Sequence, residues 1–270
     1  MCRKLTLLAT ALLLCAAPAL ASGPMQAKAP AKPAGSEAAP APQKASPQER
    51  ADADRLDPLA KAAFWAREAD ADPRDQEAGV KLAKSLRVLG RYDEAAAAAD
   101  QVLVLAPTNL EALLESARAR IAAGQGFYAI DAAQRAAAAA PHDWRPVTLL
   151  AIALEQSERD DEALSALQRA AALAPDNPAV MSNLGMYYAT HGDAAHAEPL
   201  LRRAAAAPGA TAQERQNLAL FLGLAGKLDE AERLERLDLP PQIADSNLAY
   251  FRASESPAPA RTWSTVGSAQ

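Results

Sequence analysis

The chain has 270 residues, of which 50% are hydrophobic and only 4% aromatic, and its formal net charge is −5. That balance permits a sizeable core but shows no basic stripe, which argues against a nucleic-acid partner. Alanine is the commonest residue and β-branched residues are sparse, so helix is the default state and a sheet is not expected.

The first residues read as a leader. Arg3 and Lys4 form a charged start, LTLLATALLLC (5–15) is apolar, and Ala19-Leu20-Ala21 is a small-x-small cleavage site. Export to the periplasm with cleavage after Ala21 is the expectation. Both cysteines, Cys2 and Cys15, lie in this leader, so the cleaved chain needs no disulfide chemistry. Leu12-Leu13-Leu14-Cys15 loosely resembles a lipoprotein box, and lipid anchoring at Cys15 is the alternative. Beyond the leader no apolar run reaches about 18 residues, so no membrane span is expected in the mature chain.

Residues 22–48 carry Pro24, Pro30, Pro33, Pro40, Pro42 and Pro47 among Ala, Lys, Ser and Gly. Such a stretch has no apolar surface to bury and reads as a disordered Pro/Ala-rich linker. From 49 to 253 the pattern is helical. RLDPLAKAAFWAREAD (55–70) reads as a lone second helix that caps the N-terminal end of this region. Then prolines recur at Pro73, Pro107, Pro141 and Pro175, 34 residues apart. Taking them as one position of a repeat gives units 76–109, 110–143, 144–177 and 178–211 and a degenerate fifth, 212–240.

Other columns keep the same period. One reads Ala83, Ala117, Ala151, Gly185, Ala219; another reads Ala95, Ala129, Ala163, Ala197, Ala231. Two antiparallel helices joined by a short turn approach closely only where the facing positions are small, so each unit reads as a helix pair. Gly90, Gly124, Gly192 and Gly226 close the first helices, with Glu158 in the third unit instead. Asn177-Pro178 and Asp143 mark helix starts. The prolines end the second helices. PPQIADSNLAYFRA (240–253) reads as a capping helix starting at 241, and 254–270 as a disordered polar tail.

The proline ladder, with LGRYDEA (89–95), NLGMYYATHGDAAHAE (183–198) and GKLDEAERL (226–234), resembles the tetratricopeptide repeat family. The resemblance implies an all-α superhelical solenoid of about five helix-turn-helix repeats with flanking capping helices. It also implies that the first helix of each unit lines a concave peptide-binding groove. The groove candidates are then Lys84, Arg87, Arg118, Ile152, Asn183, Met186 and Asn217, with Ile121 and Glu155 beside them. Asn183 and Asn217 lie one repeat apart, where stacked amides suit an extended peptide backbone; bonding to neighbouring helix ends is the alternative. Lys84 and Arg118 read either as ligand contacts or as a solvated face. In GQGFYAID (124–131), Phe127 and Tyr128 read as a shifted packing plug between helices or as an exposed anchor for a partner.

No other constellation carries chemistry. His191 and His196 are five apart near a turn and lack ligand-spaced carboxylates, so no metal is expected. There is no phosphate-binding glycine loop and no nucleophile elbow. Neither cofactor nor enzymatic activity is expected; a hydrolase hidden in a helical fold is the rival that this empty inventory disfavours.

The last third, QERQNLALFLGLAGKLDEAERLERLDLPPQIADSNLAYFRA (213–253), is similar to the end of TadD-type proteins of the Tad (Flp) pilus assembly system. Gln216-Asn217-Leu218-Ala219-Leu220, Leu239-Pro240-Pro241 and Asn247 to Arg252 carry the likeness. It implies a scaffold for protein partners of a cell-envelope complex, pilus assembly components among them. A general periplasmic adaptor for polysaccharide export or cell-wall enzymes is the alternative.

Overall fold

The computed structural model describes residues 44–255; the expected leader, the linker up to 43 and the tail from 256 lie outside the described residues. Among the described residues there are thirteen helices and no strand. Two helices come first, α1 (Pro47–Ala53) and α2 (Pro58–Ala71). Five pairs come next: α3 (Gln76–Val88) with α4 (Tyr92–Leu105), α5 (Leu110–Ala122) with α6 (Gly126–Ala139), α7 (Trp144–Gln156) with α8 (Asp160–Leu173), α9 (Pro178–Thr190) with α10 (Ala194–Ala206), and α11 (Ala212–Leu224) with α12 (Leu228–Asp238). The last helix is α13 (Pro241–Glu255). First helices start at 76, 110, 144, 178 and 212, and second helices at 92, 126, 160, 194 and 228, so the 34-residue register holds throughout.

Local chemistry repeats with the register. Each first helix opens on a side chain that accepts from its own first-turn amides: Asp75, Asn109, Asp143, Asn177 and Thr211. Such caps satisfy donors that the helix itself cannot. Each first helix closes in a left-handed residue. Gly90, Gly124, Gly192 and Gly226 have φ between 72° and 79°, and Glu158 adopts the same conformation at φ 58°. The next amide then reaches back to a carbonyl of the last turn, as from Arg91 to Leu86 and from Arg159 to Leu154, both at 3.0 Å. Side chains cost energy in this conformation, so the geometry, rather than the residue type, is what the turn conserves. The ladder prolines stand directly after the C-caps Asp72, Ala106, Ala140 and Ala174.

The small columns are buried. Ala83, Ala117, Ala151, Ala219, Ala95, Ala129, Ala163, Ala197 and Ala231 are all 0% exposed. At Gly185 an added Cβ would lie 2.8 Å from Leu201 Cγ, so even alanine would crowd α10 there. The largest core cluster runs from α5 to α9 around Leu113, Leu114, Leu154, Leu167 and Leu184. A second joins α9–α13 through Leu201, Leu222, Leu248 and Phe251.

The ends differ from the sequence reading in three ways. α1 begins at Pro47, inside the stretch read as linker, because Ser46 and Glu49 form a capping box. Residues 55–70 are not a lone helix: α2 sits in second-helix register and α1 is a shortened first-helix partner. α13 continues to Glu255, past the expected start of the tail. No described helix is long and apolar enough to cross a membrane.

Candidate functional site

First helices pack on one another in sequence, α3 on α5, α5 on α7, α7 on α9 and α9 on α11, whereas second helices pack on the first helices of their own and the next unit. The layer whose members touch is the inside of a curve, so the first helices form the inner wall. Side chains on their free face are the candidate site.

At the N-terminal end this face is basic. Lys84 is exposed and has no ion pair among the described residues. Arg118, read with Lys84 as a ligand contact or a solvated face, is instead ion-paired: with Arg87 it grips one carboxylate, Glu115, which is 3% exposed. Arg87 Nε donates to Glu115 Oε2 at 2.8 Å and Arg118 Nη1 to Oε1 at 2.6 Å. Sequence reasoning passed over Glu115. The available signal was its column, which also holds Asn183 and Asn217. A carboxylate held by two guanidiniums leaves the cluster one positive charge in surplus.

The centre of the face holds Ile152 and Glu155, both half-buried. Burial pushes the Glu155 carboxyl above its usual pKa, against the opposing influence of His191. His191 stacks on Tyr187 at 4.0 Å, and its Nε2 lies 3.7 Å from Asp160 Oδ2. His196 is turned instead to Asp193, 2.6 Å from Nδ1, so the two histidines do not converge. Among the described residues no group of three or more His, Cys, Asp or Glu is placed to hold a metal.

The C-terminal end is apolar. Met186, Ala189, Leu220, Phe221 and Leu224 line a cleft of about 340 Å³ between α9 and α11. Leu224 is 52% exposed at its mouth. Asn183 and Asn217 do not form a stacked, free pair of amides. Asn217 Nδ2 donates to Ser182 Oγ, and Gln213 Nε2 donates to Asn217 Oδ1, both at 2.9 Å. The Asn217 amide thus ties α11 to a hydroxyl within α9, and not to a helix end. Phe127 and Tyr128 are no packing plug either: they are 71% and 67% exposed.

Comparison with known proteins bears on the fold. No family model matches the chain, and no curated protein matches it. Solved structures do. A tetratricopeptide repeat protein from Parabacteroides merdae ATCC 43184 is similar with TM-score 0.63 at 12% identity, over 76% of this chain and 80% of that one. The thermophilic repeat protein TTC0263 of Thermus thermophilus is similar with TM-score 0.60 at 24% identity, over 66% of this chain and 99% of that one. MamA from Desulfovibrio magneticus RS-1, residue 41 to the end, is similar with TM-score 0.52 at 23% identity, over 58% and 89%. The fold is an all-α tetratricopeptide-repeat solenoid.

Proposed function

We propose that the chain is an exported, non-catalytic scaffold whose first-helix face holds an extended segment of a protein partner. The observation that carries this reading is the grading of that face, from Lys84, Arg87 and Arg118 to the Met186–Leu224 cleft. A segment with an acidic end and apolar side chains further along would meet complementary chemistry at both ends. The likeness of residues 213–253 to TadD-type proteins supports the assembly of a Tad (Flp) type pilus or secretion machine as the context. The lack of a catalytic constellation in the sequence supports a scaffold over an enzyme.

Lys84 and Leu224 are exposed, so Lys84→Glu with Leu224→Asp tests the face without disturbing the core. Crosslinking in the native envelope, followed by recovery of the full chain, is expected to retrieve pilus or secretion components with the wild type. The double variant should show about tenfold weaker recovery, with unchanged circular dichroism. Equal recovery would reject the face as the working surface. Retrieval of polysaccharide-export or cell-wall proteins would replace the pilus context with that of a general adaptor. The mass of the recovered chain reads its processing: a start at Ser22 agrees with cleavage after Ala21, and a diacylated start at Cys15 replaces it with lipid anchoring.

A further inference from the structure

Three of the five second helices of this solenoid begin with acidic side chains, and α10 carries Ala195 and His196 there instead. Asp93-Glu94, Asp161-Glu162 and Asp229-Glu230 occupy the first turns of α4, α8 and α12, where carboxylates favour the positive helix end. In α6 the same two positions are Phe127 and Tyr128, and no acidic residue stands in the first turn. Their rings pack edge to face with centroids 5.6 Å apart and project into solvent.

Gly126 explains why they are outside. A Cβ there would lie 2.5 Å from Gln156 Cβ and 2.7 Å from the Ala153 carbonyl oxygen. The start of α6 therefore closes onto the last turn of α7, with no room for the side chain that α4 half-buries in the corresponding place, Tyr92. The rings fall at the next two positions. The helix forgoes its favourable acids and leaves two aromatic rings in water, and neither loss helps the fold.

Charge around the pair is negative. Asp93 has the Gln125 amide, at 3.0 Å, as its one side-chain partner among the described residues. Asp131, one turn along the same face of α6, is exposed and shared with Arg135 at 3.1 Å. At the position matching Phe127 in the next repeat, Asp161 is exposed and has no ion pair among the described residues. We propose that Phe127 and Tyr128 anchor a cationic segment of a partner protein at this outer edge, separate from the groove. A guanidinium or ammonium group can lie over an aromatic face while neighbouring carboxylates take up its charge. An anionic segment would be repelled.

The neighbouring repeats supply the test variant, Phe127→Asp with Tyr128→Glu. It restores the acidic start of α4 and α8, so it should fold and melt at or above the wild-type temperature. The probe is a fluorescent dodecapeptide alternating arginine and proline, with a glutamate–proline peptide as control, titrated by anisotropy against the chain. We expect the cationic probe to bind, the anionic control not to bind, and affinity to fall as salt rises. The Phe127→Asp, Tyr128→Glu variant should lose about tenfold in affinity although it adds two carboxylates. The Lys84→Glu, Leu224→Asp groove variant should bind the probe as the wild type does. Unchanged or tighter binding by the Phe127→Asp, Tyr128→Glu variant would show charge alone at work and overturn the proposal. So would equal binding of the two peptides, or loss of binding in the groove variant alone.

Discussion

Small side chains decide how closely the two helices of each repeat approach. Ala163 is 0% exposed in α8, within the largest core cluster. Ala163→Leu adds three carbons where close-packed neighbours leave no room, and such overpacking costs about 1–3 kcal/mol. Thermal melting should show a midpoint lowered by several degrees; an unchanged midpoint would contradict the burial of this column. Glu158 illustrates the opposite limit at the same scale. The turn after α7 imposes a left-handed residue whether or not glycine supplies it, because the Arg159 amide must reach the Leu154 carbonyl to close the helix.

At the scale of elements, α1 shows how seven residues stay attached. Arg50, 11% exposed, bonds Glu68 Oε2 at 2.8 Å and Asp75 Oδ2 at 2.6 Å, and its guanidinium lies 5.5 Å from the Trp65 ring. Glu68 is 1% exposed and also accepts from the Ala45 amide. Removing one member of a buried ion pair strands the other, at about 3–5 kcal/mol. Arg50→Ala should therefore release α1. Repeats touch only neighbours, so α5 to α9 should stay folded. A red shift of Trp65 emission with little loss of helix signal would show this; global unfolding would contradict it. Acid should act on the same joint. Burial raises the Asp75 pKa, but hydrogen bonds from Arg50, Lys44 and the Ala78 amide outweigh it and hold the carboxyl well below its ordinary range. A depressed folded pKa means that the stabilisation is complete above the unfolded value near 3.8 and is lost as pH falls below it. Trp65 emission should stay constant from neutral pH down to about 5 and shift below about 4.

Over the whole molecule, stability is distributed along one dimension. The largest cluster spans α5–α9, the second spans α9–α13, and the N-terminal clusters around Leu86 and Trp65 are smaller. In such an array each repeat draws its stability from its own core and its two interfaces. Amide exchange should therefore be slowest in α5 to α8 and fastest in α1 and α13, read by mass spectrometry on the intact chain. Uniform protection from end to end would mean a single cooperative unit. The same serial packing gives the first-helix face its continuity, and with it a surface that changes from basic to apolar along its length.

The period, the helix pairs and their ends were determined by the sequence alone. Their causes are local and recur every 34 residues: a polar cap before each first helix, a left-handed residue after it, alanines at the contact and a proline past the second helix. Which face would be inward came only from the resemblance to tetratricopeptide repeats, not from the period itself. The pairings on that face were legible in neither. Arg87 reaches Glu115 across 28 residues and Asn217 reaches Ser182 across 35, so their partners depend on how α5 docks on α3 and α11 on α9. Periodicity names the column a side chain belongs to, but only packed helices decide whether it meets a neighbour or water. Phe127 and Tyr128 make the point most sharply. In sequence they replace an acidic pair, and the tight approach of α6 to α7 at Gly126 is what leaves them in solvent.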